Sequence, residues 1–321
     1  MHIAFGVDGD YFRAMGVAIT SIVTHNPQTP FIFHVFAPAF SQADSDKLSQ
    51  LQNLYGVDIH LHTVDLCVFK EYAGFPDFSQ YSTAIFTRLL IPQVLRGQTS
   101  RVLYLDADIL CVGKLKPLMS IDLGRYIVGA VHDNGEFTVR TQCKNLKLRQ
   151  GKYFNSGVLL IDIDSWIGHD ISRRTMETLL LPHQHFIFPD QDALNIVLEE
   201  HVLYIEEQWN YQYNLNSFLN LGFYSMQPLG NGVLIHFTGR VKPWHAWSLH
   251  QARDLFQEYQ SKSPWAGTSL DSPRNYKEMR LYSQFLMRKG SIVKAIYWFA
   301  QYLLNKFSSR VKEKFFLKVV E

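Results

Sequence analysis

The sequence predicts an α/β protein with a mostly parallel sheet and a helical, basic C-terminal tail. Two observations lead to this class: strand-like and helix-like segments alternate from His2 to Asp65, and several apolar runs end in an acidic residue. A β-α-β-α-β order implies parallel strands joined by right-handed crossovers. Such a sheet binds ligands at the carboxyl ends of its strands. We therefore expect those acids to mark the site.

The first elements have separate patterns. Apolar or alternating runs predict strands at His2 to Asp8, Phe31 to Ala37 and Val57 to Asp65. Apolar residues at helical spacing predict a helix over Tyr11 to Val23, and Ser41 with Asp44 resembles a capping box that begins a helix through Tyr55.

The turn after the first strand excludes one common ligand. It reads GVDGDYF from Gly6 to Phe12, where a dinucleotide-binding protein has GxGxxG. The carboxylates of Asp8 and Asp10 would repel a negatively charged pyrophosphate. They are better suited to hydrogen bonds with the neutral groups of uracil or ribose. A solvated turn is the simpler alternative, more so for Asp10 than for Asp8.

The central motif is RVLYLDADIL, from Arg101 to Leu110. Its apolar run predicts a strand buried on both faces. Side chains alternate in an extended chain, so Asp106 and Asp108 point to one side and can bind one hard cation. Taken alone, the triplet Asp106–Ala107–Asp108 is explained equally well by ordinary solvated aspartates at a strand end.

Three further stretches place polar groups beside apolar elements. Tyr81 to Leu95 predicts a helix with an isolated Arg88, either a snorkelling surface residue or a ligand contact. Strands are predicted at Tyr126 to His132, which ends in Asp133, and at Tyr153 to Ile163, which opens with Asn155, Ser156 and Gly157. A helix over Phe188 to Leu198 presents Asp190, Gln191 and Asp192 in its first turn, where acids also stabilise a helix without any ligand.

A strand followed by a turn carries the last candidate group. In GVLIHFTGRVKPWH, from Gly232 to His245, the apolar run delivers His236, and Thr238, Gly239 and Lys242 follow. A lone histidine is more often structural. Two carboxylates and one imidazole nevertheless suit Mn²⁺, with phosphate oxygens in the remaining positions and Lys242 contacting the same phosphates.

Composition bounds the class of protein. A chain of 321 residues with 47% hydrophobic content has room for one core of about 250 to 300 residues and an appendage. Its three cysteines, Cys67, Cys111 and Cys143, are far apart, which favours a reducing compartment over a disulfide framework or a zinc site. Acids near the start argue against a signal peptide, and we expect no membrane span and no nucleic-acid partner.

Together these motifs resemble family 8 glycosyltransferases, which are retaining enzymes. LYLDADIL, YFNSGVLL, PDQDALN and LIHFTGRVKPWH stand in the family's order between His2 and Trp247. The segment after them, with SPW and DSPR, is similar to lipopolysaccharide core hexosyltransferases. The resemblance implies a nucleotide-diphosphosugar transferase (GT-A-like) fold with a mixed, mostly parallel sheet. It also implies a catalytic domain over residues 1–250 and a helical extension over 251–321.

The resemblance assigns roles by position. It implies Asp106, Asp108 and His236 as ligands of Mn²⁺ or Mg²⁺, and Gly6, Asp8, Arg88, Ala107, Gly239 and Lys242 as contacts of the UDP-glucose or UDP-galactose donor. Asp133, Asn155, Asp190 and Gln191 match positions around the donor sugar. The Gln191 amide is a poor nucleophile, so front-face displacement is favoured over a covalent route through Asp190.

Two other protein classes remain as alternatives. Haloacid-dehalogenase-type phosphatases also place DxD after a strand, but they have Thr or Val two residues beyond the second Asp, where this chain has Leu110. Their motif also lies near the chain start, whereas here it lies a third of the way along the chain. A non-catalytic sugar-binding scaffold would have no need of the intact set of Asp106, Asp108, His236 and Lys242. A UDP-hexose transferase with a different glycan acceptor is a further alternative.

The tail predicts a membrane contact. Eleven basic and three acidic residues lie from Arg274 to the end. In Gly290 to Phe307 one helical face carries Ile292, Ile296, Phe299, Leu303 and Phe307. An amphipathic, basic helix suits an anionic bilayer, while packing on the domain is the alternative. We therefore expect a cytoplasmic, peripheral location on the bacterial inner membrane, where a lipid-linked lipopolysaccharide core acceptor lies.

Overall fold

The computed structural model describes residues 1–9, 11–65, 83–181 and 186–320, with side chains at all of these except 83–84 and 309–320. Asp10, Cys67 and the beginning of the helix predicted at Tyr81 lie outside the described residues. So do the side chains of Arg310, Lys312, Lys314 and Lys318, which supplied part of the predicted basic tail.

Seven of the ten described strands lie on predicted runs, whereas the short strands Ile109–Cys111, Val202–Tyr204 and Tyr211–Gln212 were not predicted. The ten strands are β1 (His2–Gly6), β2 (Ile32–Ala37), β3 (Asp58–Thr63), β4 (Arg101–Leu105), β5 (Ile109–Cys111), β6 (Val128–His132), β7 (Phe154–Asp162), β8 (Val202–Tyr204), β9 (Tyr211–Gln212) and β10 (Leu234–His236).

The described helices lie mostly between the strands. The α-helices are Tyr11–His25, Gln42–Tyr55, Ile91–Leu95, Lys116–Met119, Glu136–Asn145, Ile163–Gly168, Ile171–Leu179, Pro189–Val197, Leu215–Asn220, Ala252–Ser261, Tyr276–Arg288 and Ile292–Val320. Two 3₁₀ helices cover Thr83–Leu89 and Glu207–Asn210.

Seven strands form the central sheet in the order β3-β2-β1-β4-β7-β6-β8. Its pairs are parallel except at β7, which runs antiparallel to both β4 and β6. The sheet is therefore mixed and mostly parallel, as predicted. A second sheet, β5-β10-β9, begins directly after the DAD triplet and pairs β10 antiparallel to β5.

Burial explains why the strand at the motif forms where it does. Val102, Leu103, Tyr104 and Leu105 are all essentially buried, with apolar clusters on both faces of the sheet. The predicted capping box at Ser41 and Asp44 is confirmed, because each side chain accepts from the other residue's backbone N–H. The apolar runs and the helix start were therefore sound guides to the fold.

One predicted helix is interrupted. Tyr81 to Leu95 was expected to be continuous, but the described part is a 3₁₀ helix, Thr83–Leu89, followed by a short α-helix, Ile91–Leu95. Pro92 lies in the first turn of the second helix. Proline has no N–H to continue a preceding helix but fits a helix start, so a new helix begins there.

The chain divides into two compact units. The first comprises Met1–Gln212, Leu229–His236 and Tyr259–Trp265; the second comprises Tyr213–Pro228, Phe237–Glu258 and Ala266–Glu321. The domain boundary predicted after residue 250 stays a prediction. Among the described helices, none combines the length and the apolar character that a membrane crossing requires.

The second unit contains a helix pair with an exposed apolar face. Ser283 Oγ donates to Ala295 O at 2.8 Å, joining Tyr276–Arg288 to Ile292–Val320. Ala295 and Tyr302 are buried. The five residues of the predicted apolar face are 48 to 71% exposed: Ile292, Ile296, Phe299, Leu303 and Phe307. This face of the helix is open to solvent, whereas Ala295 and Tyr302 pack.

Candidate active site

Two aspartates and one histidine converge at the carboxyl end of β4. Asp106 and Asp108 lie in the connection between β4 and β5, and His236 ends β10, which pairs with β5. One ligand atom from each of the three residues lies within 4.8 Å of the others. His236 Nε2 is 3.2 Å from Asp108 Oδ1 and 3.9 Å from Asp106 Oδ2. The structure therefore brings the three predicted metal ligands together.

Hydrogen bonds fix which histidine nitrogen faces the aspartates. The backbone N–H of Gly157 donates to Asn155 Oδ1 at 3.0 Å, which identifies that atom as the acceptor oxygen. Asn210 Nδ2 donates to the same oxygen, so Asn210 Oδ1 accepts from His236 Nδ1–H at 2.9 Å. The lone pair of a neutral His236 then lies on Nε2, toward the carboxylates. A partner on the other ring nitrogen is typical of metal-binding histidines.

Gly157 leaves the space that this arrangement needs. A Cβ at this position would lie 2.8 Å from His236 Nδ1 and 2.9 Å from Asp106 Oδ2. Its backbone carbonyl also accepts from the Asp106 N–H at 2.8 Å. Two carboxylate oxygens and one imidazole nitrogen, held in a space that only glycine leaves open, fit a divalent cation such as Mn²⁺ or Mg²⁺.

Arg88 is buried and connects two carboxylates. Its guanidinium donates to Asp106 Oδ1 at 3.0 Å and lies 3.2 Å from Asp190 Oδ2. It also donates to Ser156 O and Oγ and stacks on the Tyr104 ring. The sequence allowed two interpretations of Arg88, a snorkelling surface residue or a ligand contact. The first interpretation is wrong, because Arg88 is only 4% exposed.

Burial and charge oppose each other in this ion pair. Burial alone would lower the pKa of the Arg88 guanidinium, but Asp190, Tyr104 and Asp106 outweigh it and raise that pKa. Burial raises the pKa of the Asp190 carboxyl, and Arg88 counteracts part of the rise. Arg88 therefore stays charged and holds Asp106 and Asp190 at fixed positions.

The predicted sugar-subsite residues form one hydrogen-bonded group. Gln191 Oε1 accepts from the Ser156 N–H at 2.9 Å, and its Nε2 donates to Asp133 Oδ2 at 3.3 Å. Asn155 Nδ2 donates to the same Asp133 oxygen at 3.2 Å. His236, Asn210, Asn155, Asp133 and Gln191 therefore form a continuous chain of contacts from the metal ligands to the predicted sugar subsite.

Asp192 holds the beginning of the helix that carries Asp190 and Gln191. Its Oδ2 accepts from Gln142 Nε2 at 2.8 Å and from the backbone N–H groups of Ile187 and Phe188. Tyr153 donates to its other oxygen. Asp192 is fully buried, and these hydrogen bonds account for it without a ligand.

The predicted nucleotide contacts of the first unit lie at the same sheet edge. Gly6 ends β1 and Asp8 follows it, beside the carboxyl end of the parallel strand β4. Ala107 is buried in the apolar core between the two aspartates, so only its backbone is available to a ligand.

The predicted pyrophosphate residues belong to the second unit. Gly239 has φ +81°, and a Cβ there would lie 3.2 Å from Asn214 Nδ2, so the turn requires glycine. Lys242 is buried, and its Nζ donates to Phe237 O at 2.7 Å. Phe237 directly follows His236 in the chain.

Asn210 and the role of Tyr104 are not predictable from the sequence pattern. Tyr104 OH donates to Asp106 Oδ1 at 2.6 Å from within the apolar run of β4. Asn210 lies at the end of a short 3₁₀ helix, 26 residues before His236. Nothing in the sequence indicates that Asn210 pairs with His236.

Comparison with known proteins agrees with this geometry. The family model "Glycosyl transferase family 8" matches residues 2–248, and "Glycosyl transferase family 8 C-terminal" matches residues 243–306. The chain is 29% identical to lipopolysaccharide 1,3-galactosyltransferase of Salmonella typhimurium and 28% identical to lipopolysaccharide glucosyltransferase WaaO of Escherichia coli; each match covers 95% of this chain and 91% of the relative.

A solved structure shares the fold. The galactosyltransferase LgtC, crystallised with donor and acceptor sugar analogs, superposes with a TM-score of 0.68 at 26% identity, over 86% of this chain and 99% of that chain. The fold and the site define a GT-A-type glycosyltransferase. Within that class, the chain belongs to glycosyl transferase family 8. The phosphatase and scaffold alternatives are thereby set aside.

Proposed function

We infer that this enzyme is a metal-dependent, retaining hexosyltransferase that moves glucose or galactose from a UDP-hexose to the outer core of lipopolysaccharide in an α-linkage. The acceptor class follows from the two relatives named above, both lipopolysaccharide hexosyltransferases that align over nearly the whole chain.

The observation that carries this proposal is the convergence of Asp106, Asp108 and His236. Beside them, Arg88 and the Asn210–Asn155 contacts lead to Asp190 and Gln191. A divalent cation held by the three ligands would supply Lewis-acid stabilisation of the negative charge on the departing diphosphate. The positive charge of Lys242 is proposed to act on the same phosphates.

The chain's own residues favour front-face displacement. Both ends of the Gln191 amide are engaged, by Ser156 N–H and Asp133, so the amide is held in one orientation. In the proposed step the acceptor hydroxyl oxygen bonds to the anomeric carbon as the bond to UDP breaks. The hydroxyl proton leaves with the departing diphosphate oxygen.

A covalent route through Asp190 is less favourable. Asp190 Oδ2 lies 3.2 Å from the Arg88 guanidinium in a buried ion pair. Attack by this carboxylate on the sugar would remove one of the two carboxylate charges that balance the buried Arg88, leaving only Asp106. Loss of a charge partner is costly for a buried cation, so the geometry suits a positioning role for Asp190.

The tail is proposed to dock the enzyme on an anionic membrane surface. Its apolar face is exposed in the described part of the helix, and Lys294 of the same helix is also exposed. Such a helix binds at the headgroup boundary through buried apolar area and attraction of basic residues. The proposed role of the tail is to bring the enzyme to the cytoplasmic leaflet, where a lipid-linked acceptor lies.

The test uses the full-length chain with Mn²⁺, UDP-[¹⁴C]glucose or UDP-[¹⁴C]galactose, and lipopolysaccharide truncated in its outer core. Expected is radiolabel in the lipopolysaccharide with one of the two donors, and an α-anomeric signal by NMR. UDP release with either donor but no labelled lipopolysaccharide would refute the acceptor and retain the donor class. No release and no transfer with either donor would refute the proposal.

A further inference from the structure

Four histidines lie on one face of three neighbouring strands, away from the residues assigned above. His2 is on β1, His34 on β2, and His60 and His62 on β3. The register places His34 directly opposite His60. His60 and His62 are two residues apart on one strand, so their side chains share a face. We call these four residues the imidazole cluster.

Two hydrogen bonds between rings join the three strands. His34 Nε2 lies 2.9 Å from His2 Nδ1, and His34 Nδ1 lies 3.0 Å from His62 Nε2. Each of these contacts needs one N–H group and one nitrogen lone pair. A neutral His34 has one of each, so it donates in one contact and accepts in the other. Neutral rings are therefore hydrogen-bonded continuously from β1 to β3.

The two contacts tolerate one extra proton but not a second. A protonated His34 donates at both of its nitrogens, toward lone pairs on His2 and His62. When any two of these three rings are protonated, at least one contact holds two N–H groups that face each other. The hydrogen bond at that contact is then replaced by repulsion between two cationic rings. Acid therefore breaks the connection between the strands.

Burial makes even the first proton unfavourable. His34 is buried, and two rings of β3, His60 and His62, each lie with their centroids 5.3 Å from its own. Burial, followed by repulsion from His62, His2 and His60, lowers the pKa of His34 to about 3. Burial also lowers the pKa of His62. Separation of β3 would remove both covering rings from His34, so the separated strands bind protons more readily than the paired ones.

Few other charged groups lie on this face in the part of the chain that the structure describes. Asp58 begins β3 on the same face but is exposed, and the N-terminal ammonium lowers the pKa of His2. The 3₁₀ helix Thr83–Leu89 packs on this face, and its one charged side chain, Arg88, is paired at the candidate active site. Since the groups that shift the pKa of His34 are burial and the other three rings, no carboxylate among them offsets a proton there.

We propose that the imidazole cluster makes the attachment of β3 sensitive to acid, so that protons taken up by its rings in mild acid release β3 from β2. β3 is the outermost strand at its end of the described sheet, where it pairs with β2. β1, β2 and β3 are parallel, so their carboxyl ends share the edge at which Asp8 lies. Release of β3 therefore weakens the sheet at the edge of the proposed donor contacts.

The direction of the pKa shift sets the pH range. A histidine in a released strand has an ordinary pKa of about 6.5, whereas that of the paired His34 is about 3. The released state therefore binds more protons below about pH 6.5, so attachment is strongest above this pH and weakens as the pH falls. From these two values, His34 alone raises the equilibrium constant for release about 25-fold between pH 7 and pH 5. His62 adds to this effect.

The test is hydrogen–deuterium exchange of the full-length chain at pH 7 and pH 5. The reporter is the Val64 N–H, which donates to Ala37 O at 2.9 Å directly after the β2–β3 pairing. Its protection, corrected for the intrinsic exchange rate at each pH, measures local opening. Wild-type protection is expected to fall about 25-fold or more from pH 7 to pH 5. Equal protection at the two pH values would overturn the proposal.

Two glutamine variants separate the imidazole cluster from other effects of acid. Glutamine offers an N–H donor and an oxygen acceptor but does not titrate. His34→Gln and His62→Gln are each expected to show a fall in protection at least about threefold smaller than that of wild type. His62 is half-buried, so its variant keeps the test decisive if His34→Gln does not fold. His169→Gln, at an exposed histidine elsewhere, is the control and is expected to keep the wild-type fall. A wild-type fall in both cluster variants would overturn the proposal.

Discussion

Asn210 Oδ1 accepts a hydrogen bond from His236 Nδ1 at 2.9 Å, and this contact directs His236 Nε2 toward Asp106 and Asp108. Asn210 in turn is held by Asn155, whose oxygen is fixed by the Gly157 backbone N–H. One side of the proposed metal site is thus determined by residues other than the three predicted metal ligands. The same residues lead on to Gln191 through Asp133.

Asn210→Ala is expected to weaken Mn²⁺ binding about 10- to 100-fold, since His236 loses the partner that sets its tautomer. Free Mn²⁺ measured by electron paramagnetic resonance reports this without any turnover. Asn210→Asp keeps the acceptor for His236 and is expected to bind Mn²⁺ more tightly than Asn210→Ala. The exposed Asn53→Ala is the control. Equal Mn²⁺ affinity in wild type and Asn210→Ala would show that the contact has no orienting role.

Gly157→Ala tests the space between His236 and Asp106. The added methyl group would lie within 2.9 Å of atoms of both residues, so at least one of them has to move. We expect loss of Mn²⁺ binding and at least about a 100-fold fall in UDP release. Gly168→Ala is the control, because a Cβ there meets nothing within 4 Å. A fully active Gly157→Ala enzyme would contradict the geometry of the site.

Arg88→Met is expected to lower the free energy of unfolding by about 3 kcal/mol, because it leaves Asp190 buried without its cation. Urea denaturation followed by tryptophan fluorescence measures the change. Arg149→Met is the control: the Arg149 side chain is 83% exposed, and its ion pair with Glu200 is long at 4.0 Å. Exposed pairs contribute about 0 to 1 kcal/mol. Equal destabilisation by the two substitutions would mean that Arg88 does not stabilise the site.

The apolar tail face is expected to bind vesicles that contain anionic lipid. Phe299→Glu combined with Leu303→Glu should reduce co-sedimentation about tenfold or more, since both side chains are exposed and on the predicted face. Leu54→Glu combined with Phe137→Glu changes two exposed residues elsewhere and should leave binding unchanged. If both double variants sediment with the vesicles as wild type does, the tail is not the docking surface.

Much of the site could be predicted from local sequence. Asp106 and Asp108 end an apolar run, and His236 ends another, so each was marked by a change from apolar to polar residues. Their convergence depends on the antiparallel pairing of β10 with β5, at a sequence separation that no local pattern encodes. The family resemblance supplied that link before the structure did.

Other features needed three-dimensional information. The uncharged residues that flank Arg88 in sequence do not distinguish a surface arginine from a buried one. Only the structure shows that Arg88 is paired with Asp106 and Asp190. Periodicity identified the apolar face of the tail but not whether it packs; Ala295 and Tyr302, between its members in sequence, are the residues that pack. Asn210 became visible only through its contact with His236.

The central claim is that Asp106, Asp108 and His236 hold the cation on which donor cleavage depends. The most direct measurement is UDP release from UDP-glucose and UDP-galactose by wild type and Asp108→Ala, each titrated with Mn²⁺ after removal of metals by chelation. We predict that wild-type release rises with Mn²⁺ from a negligible level and that a folded Asp108→Ala enzyme shows no such rise. Mn²⁺-dependent release by Asp108→Ala at the wild-type rate would contradict the claim.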